Sequence, residues 1–328
     1  MSIWDQAEPD VLGEPFSALT LPLGDDFEGP VTATLVRSPA ATEPRGSALY
    51  IPGYNDYFFQ RHLAEFYNGR GYDFYGLDLR KAGRSCQPGQ TRNLCRHLDD
   101  YFPEIDRAVE IIRTEGGPGG SGPLLLNGHS LGGLTASLWL SRQPGQADGL
   151  FLNGPFLTSG IPLALQAVLN PVAGVIASRR PAAAFPGRTA GIYARGLHSD
   201  NDGEWTFDQR WKSTTGTKPR MGWLAGVHEG QRRVRHGLDI DAPVLVLFAE
   251  KSSKGMLGDI TRRSDTVLMV EANAALAQRL GSDVTCQRIP GAIHDVLLSR
   301  PQARKQAFDV IGSWMDSRLT AGLDAQPD

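Results

Sequence analysis

The chain has 328 residues, with 33 Lys and Arg against 36 Asp and Glu, and 41% of it is hydrophobic. That length supports one large core, or a core carrying a substantial insertion, and that composition excludes disordered and membrane-embedded classes. A net charge of −3 leaves no basic footprint for nucleic acid.

Taken in chain order, the opening Met1 to Asp5 lacks the basic start and apolar run of a signal peptide. β-rich runs then fall at Val31 to Val36, Ala48 to Ile51, Tyr72 to Leu77, Leu124 to Asn127, Gly149 to Asn153, Val244 to Phe248 and Val284 to Ile289. Helical patterns lie between them, an alternation that predicts a mostly parallel sheet with helices on both faces. In the clearest helix, Ile105, Ala108, Val109 and Ile112 recur at helical spacing, with Asp99 or Asp100 available as a cap. Cys86, Cys95 and Cys286 form no Cys-x-x-Cys pair, so neither a metal nor a redox centre is expected, and a reduced, cytoplasmic setting fits them. The uncharged stretch from Gly149 to Ser178 is broken by Asn153-Gly154-Pro155 and Asn170-Pro171. It reads as a buried strand followed by a lid helix, not as a membrane span.

The alternation stops after Gly154 and resumes at Asp239. Residues 155–238 therefore read as an inserted, mainly helical cap on a core made of residues 1–154 and 239–319, with 320–328 a disordered tail. Eleven Arg and Lys stand against five Asp and Glu within that cap, so it is basic on an acidic protein.

The strand ending Leu124-Leu125-Leu126-Asn127 runs into Gly128-His129-Ser130-Leu131-Gly132-Gly133, and a helical segment from Leu134 to Leu140 follows. This is a G-x-S-x-G nucleophile elbow in its strand-turn-helix context. The turn strains the serine backbone, and small residues two positions away on either side let strand and helix approach. By contrast, Gly117 to Gly122 fits a dinucleotide pattern but precedes a strand, so it reads as a flexible connection and no cofactor is expected.

The elbow's chain order of serine, acid, histidine points to a base near the C-terminus. His294, in the Gly-containing loop after the last strand, meets that requirement. Three carboxylates compete for the acid: Asp265, 29 residues before His294 with room for a helix and a strand between them, Glu250 and Asp259. Asp265 is preferred. Two backbone N–H groups must face the developing oxyanion. Leu131, directly after the nucleophile, supplies one, and Tyr54, in the loop from Pro52 to Tyr57, supplies the other.

The oxyanion loop, the elbow and the C-terminal histidine together resemble the monoglyceride lipase, lysophospholipase and serine aminopeptidase branch of the α/β hydrolases. Asp78-Leu79-Arg80-Lys81-Ala82-Gly83-Arg84-Ser85 looks like that branch's D-x-R-x-x-G-x-S segment, and Asp265 to Leu268 looks like its acid site displaced by an insertion. One departure is that Pro52-Gly53 replaces the usual His-Gly. The resemblance implies an eight-stranded α/β-hydrolase sheet and a lid over the site. Its uncharged Ile161 to Ser178 stretch would line an acyl pocket in transient contact with lipid, and Trp205, Trp211 and Trp223 would serve as its walls or, equally, pack into the core. The expected function is serine-dependent hydrolysis of small or medium-chain monoesters of the monoacylglycerol kind. Three alternatives stand beside it. One is a carboxylate-bearing monoester, such as a monoalkyl phthalate, held by a cap Arg; the others are an aminopeptidase and a non-catalytic binding protein on the same fold.

Overall fold

The computed structural model of the chain describes residues 2–161, 173–185, 191–201, 203–253 and 262–319. Its strands are β1 (Glu8–Pro9), β2 (Ser17–Asp26), β3 (Gly29–Ser38), β4 (Gly46–Ile51), β5 (Tyr72–Asp78), β6 (Leu124–His129), β7 (Gly149–Asn153), β8 (Val244–Ala249) and β9 (Val284–Ile289). They form one sheet in the order β1-β2-β3-β5-β4-β6-β7-β8-β9. The pairs from β1 to β5 along the first edge are antiparallel, and every pair from β5 through β4 to β9 is parallel.

Nine strands replace the expected eight, and the difference lies at the antiparallel edge. β1 is only two residues long, and β2 carries Pro22 and Gly24 in a run where Leu19 and Leu21 alone are buried. An edge strand solvated on one face gives a weaker pattern than a central one. The centre shows the opposite behaviour: β4, β5, β6, β7 and β8 are buried at every residue. Helices cover both faces there, so continuous apolar runs replace alternation.

The helices are α1 (Arg61–Asn68), α2 (Phe102–Glu115), α3 (Pro118–Ser121), α4 (Leu131–Leu140), α5 (Gly191–Leu197), α6 (Met221–His236), α7 (Val270–Ala277) and α8 (Pro301–Arg318). Side-chain alternation along each strand divides the core in two. Leu49, Ile51, Tyr75 and Leu77 face the layer of α2, α4 and α6, whereas Ala48, Tyr50, Tyr72 and Phe74 face α1 and α8. α2 buries the four expected apolar positions and Ile111 besides. Its expected cap is absent, because a 3-10 turn over Leu98–Tyr101 precedes it. Asp100 accepts from the N–H groups of Arg96 and His97 at the start of that turn, and Asp99 pairs with Arg142 and Arg233. The segment read as a flexible connection contains the single helical turn α3.

α4 is buried at all of its residues, which suits a helix that is apolar all round. It packs on β6 and β7 and is covered by α6 and the Leu98–Tyr101 turn. Between β7 and β8 lie α5, α6 and another helical stretch over 173–179. A third, smaller apolar cluster joins this excursion to the core: Leu197 and Phe207 pack with Tyr57, Phe59, Ile293 and Leu298. The expected tail, 320–328, lies outside the described residues.

Candidate active site

β6 delivers the chain to Ser130 at the middle of the sheet, and Ser130 turns it with φ 52° and ψ −115°. A left-handed φ is costly for a residue with a Cβ, so the surroundings must enforce it. They do so through backbone contacts: Ser130 N donates to Asn153 O at 3.0 Å, and Ser130 O accepts from Leu134 N and Phe156 N. The two small neighbours are required by close approach. A Cβ on Gly128 would stand 2.6 Å from Gly133 Cα, and one on Gly132 would overlap the carbonyl oxygens of Ile51 and Pro52. The turn leaves Ser130 half-buried at the N-terminus of α4, the positive end of the helix.

His294 comes from the loop after β9 and is buried. Its Nε2 lies 2.9 Å from Ser130 Oγ, and its Nδ1 lies 2.9 Å from Asp265 Oδ2. Asp265 is fully buried, and its other carboxylate oxygen accepts from the N–H groups of Val267 and Leu268, each at 2.7 Å. One oxygen is thus held by backbone, and the second faces the imidazole. With Asp265 accepting at Nδ1, the neutral ring carries its proton there, leaving Nε2 free to accept the serine proton. Glu250 is exposed, and its N–H donates to Ile289 O. Asp259 lies outside the described residues.

Sequence reasoning missed the residues that aim His294. Asn153, at the end of β7, donates from Nδ2 to Asp295 Oδ1 at 2.6 Å and accepts from Val296 N at 2.9 Å. Burial alone would raise the Asp295 carboxyl. His129, the Asn153 hydrogen bond, Lys212 and the Leu297 N–H outweigh it and hold the carboxyl below the ordinary range. Gly154, at φ 53°, lets the His294 carbonyl lie where a Cβ would come within 2.5 Å. The only visible signal for any of this is the Asn153-Gly154 pair at a strand end.

The loop of Tyr54 reaches the same point. A Cβ on Gly53 would lie 3.0 Å from Ser130 Cβ, so the loop backbone is pressed against Ser130. Among the described residues, the N–H groups of Tyr54 and Leu131 have no protein acceptor. The segment from Asp78 to Ser85 fixes the far end of this loop. Asp78 accepts from Phe58 N at 2.8 Å and from Arg84, while Arg84 donates to Phe58 O and is held by Asp10. Ser85 Oγ donates to Asp78 O, and Arg80 is paired with the buried Glu104. The motif is a brace for the loop.

These groups open into a cavity of about 820 Å³. Ile161, Ala173, Ile176, Phe185, Ile192 and Val267 are among its apolar lining residues, and the charged ones described are Asp56 and Lys212, paired at 2.6 Å. Ile161 to Ser178 meets it through Ile161, Ala173 and Ile176, with 162–172 outside the described residues. Of the three tryptophans that read as walls or as core packing, Trp223 lines the cavity. Trp205 instead stacks on His62 and donates to Leu298 O, and Trp211 packs edge-on to Tyr57. Those contacts tie the excursion to the core. No described helix is long and apolar enough to cross a membrane.

Comparison with known proteins agrees with this architecture. The chain is 25% identical over 280 residues to a monoacylglycerol lipase of Mycolicibacterium smegmatis, covering 85% of this chain and 90% of that protein. A soluble variant of monoglyceride lipase from Saccharomyces cerevisiae, solved with a substrate analog, superposes with a TM-score of 0.66 at 15% identity over 92% of this chain and 96% of that one. The monoacylglycerol lipase of Paleococcus ferrophilus gives 0.63 at 20% identity over 87% and 99%. These superpositions show the α/β-hydrolase fold. Residues 42–300 match the Hydrolase_4 family, described as serine aminopeptidase S33, and the chain belongs to that family of α/β hydrolases.

Proposed function

We propose that the chain hydrolyses carboxylic esters through an acyl-enzyme on Ser130. Nε2 of His294 takes the serine proton as Oγ attacks the ester carbonyl, and Asp265 holds the ring in its tautomer and stabilises the imidazolium. The N–H groups of Tyr54 and Leu131 receive the oxyanion. His294 then returns the proton to the departing alcohol, and water, activated by the same base, releases the acid. The observation that carries this reading is the unbroken chain from Ser130 Oγ through His294 to Asp265, with both contacts at 2.9 Å, opening into an apolar cavity.

The substrate we infer is an uncharged monoester with a medium acyl chain, of the monoacylglycerol kind, enclosed by residues 155–238 acting as a cap over the core. An apolar cavity of this size suits such a chain. The charge pattern opposes the alternatives. A substrate carboxylate finds no Arg among the described lining residues, and a substrate amino group finds only Asp56, already neutralised by Lys212. Val175, Ile176, Phe185 and Ile192 of the cap are exposed, and three of them also line the cavity, which supports transient contact of the cap with lipid. The test compares kcat/KM for 1-monolaurin, monobutyl phthalate and an aminoacyl arylamide. Monolaurin is expected to exceed both others at least about tenfold. Preference for the phthalate or the arylamide contradicts the substrate reading.

A further inference from the structure

The loop that carries the Tyr54 N–H is fastened to the segment 207–223. Asn55 Nδ2 donates to Ser213 O at 3.1 Å, and Asn55 Oδ1 accepts from Ser213 N at 3.2 Å. Lys212 Nζ donates to Asp56 Oδ1 at 2.6 Å, with both side chains only 3% exposed. Tyr57 Oη accepts from Asp208 N at 2.7 Å, Phe59 packs on Phe207, and Tyr54 packs on Trp223. Phe59 and Phe207 also stand around the Lys212 ammonium.

Two physical costs make this fastening consequential. Buried charges are tolerated when paired and are expensive alone, so Asp56 and Lys212 hold their places only together. Asn55 adopts φ 55°, a left-handed conformation that costs a non-glycine residue energy, and its amide is gripped by the backbone of Ser213. Asn55 directly follows Tyr54. The orientation of the Tyr54 peptide therefore depends on a segment more than 150 positions away in the chain.

We propose that Lys212, Asp56 and Asn55 are positioning residues that make the oxyanion hole conditional on a seated cap. The inference rests on the ester-hydrolase reading above. Lys212 acts through Asp56 and the loop, not on the reacting atoms. Acyl transfer is then fast only when residues 207–223 sit on the loop, which links closure over the acyl chain to assembly of the second oxyanion donor.

The test uses the full chain with a short p-nitrophenyl ester, and an alkyl trifluoromethyl ketone whose hemiketal oxyanion would occupy the same hole. Asn55→Gly keeps the backbone angle without strain while deleting both bonds to Ser213. Lys212→Met strands Asp56, and the double variant Asp56→Asn/Lys212→Met removes both charges. Asn55→Gly and Lys212→Met are expected to lower kcat by about tenfold to 100-fold with KM changed less than about threefold, and to weaken the ketone by a matching factor. The double variant is expected to regain the melting temperature that Lys212→Met loses, but not the kcat. Unchanged kcat in Asn55→Gly, or recovery of kcat together with melting temperature in the double variant, reduces these residues to structural ones and overturns the inference. Wild-type protein that neither turns over the ester nor binds the ketone removes the ester-hydrolase reading first, and the inference with it.

Discussion

At the ends of β6, β7, β8 and β9, the polar atoms around Ser130, His294 and Asp265 are placed largely by backbone. Asp265 is fixed by two successive N–H groups, Ser130 by the carbonyl of Asn153, and the His294 loop by the close approach at Gly154, with the Asn153 side chain adding a long-range hold on Asp295 and Val296. Between β7 and β8, placement relies on side chains reaching far along the sequence: Asn55 to Ser213, Asp56 to Lys212, Trp205 to the Leu298 carbonyl. In the proposed mechanism the strand ends build the reacting groups, and the excursion builds their enclosure. Replacing a reacting side chain of the first region should abolish chemistry with the fold intact, whereas disturbing the second should change closure, specificity and stability and, through the loop of Tyr54, lower the rate without abolishing it.

The sharpest way to break that contrast is at the acid. Asp265→Asn preserves shape and both backbone hydrogen bonds at Oδ1 but favours the wrong imidazole tautomer, so kcat for a p-nitrophenyl ester should fall by about 10³-fold to 10⁴-fold. A loss below about tenfold, measured on protein with a wild-type melting curve, would assign the acid elsewhere. Next comes the elbow. Gly132→Ala places a Cβ against the carbonyls of Ile51 and Pro52, which are backbone and not the end of a flexible side chain that could yield. Chemical denaturation should report a loss of about 3 kcal/mol.

The smallest effect lies at the seam between the regions, where His62 of α1 stacks on Trp205 and its Nε2 meets the Leu297 carbonyl at 3.0 Å. Burial lowers the His62 imidazole from 6.5 to about 4 against a smaller raising effect of that hydrogen bond. A depressed folded value means that the folded protein disfavours the charged ring. The associated stability is fully present above pH 6.5 and is lost as the pH falls through about 4. Between pH 7 and 4.5, wild type should therefore lose on the order of 2 kcal/mol more than His62→Phe does. Equal losses would show that the ring is not held neutral at this seam.

Legibility in the sequence follows the same division. Ser130 was readable because a strand, two glycines and a helix all state one backbone geometry, and His294 because the loop after the last strand has one histidine. The acid was harder, since the chain runs from Ala249 to Asp265 before the side chain that meets His294 appears, and Glu250 fits the usual spacing better. The work of Asn153, Asp295 and Gly154 leaves no mark beyond an Asn-Gly pair at a strand end, because it is done across loops brought together only by the sheet. Trp205, Trp211 and Trp223 read equally as cavity walls or as packing, because an aromatic side chain in an insertion carries no mark of which side it packs on. β2 escaped because Pro22 and Gly24 interrupt a strand that is buried on one face only.

Covalent capture tests the assignment of Ser130 as the nucleophile most directly. Wild-type protein treated with an alkyl fluorophosphonate should gain one phosphonyl adduct by intact mass, located at Ser130 by peptide mapping, while Ser130→Ala gains none and loses at least about 10⁴-fold in kcat/KM. An adduct on another residue, or turnover retained by Ser130→Ala, would contradict it.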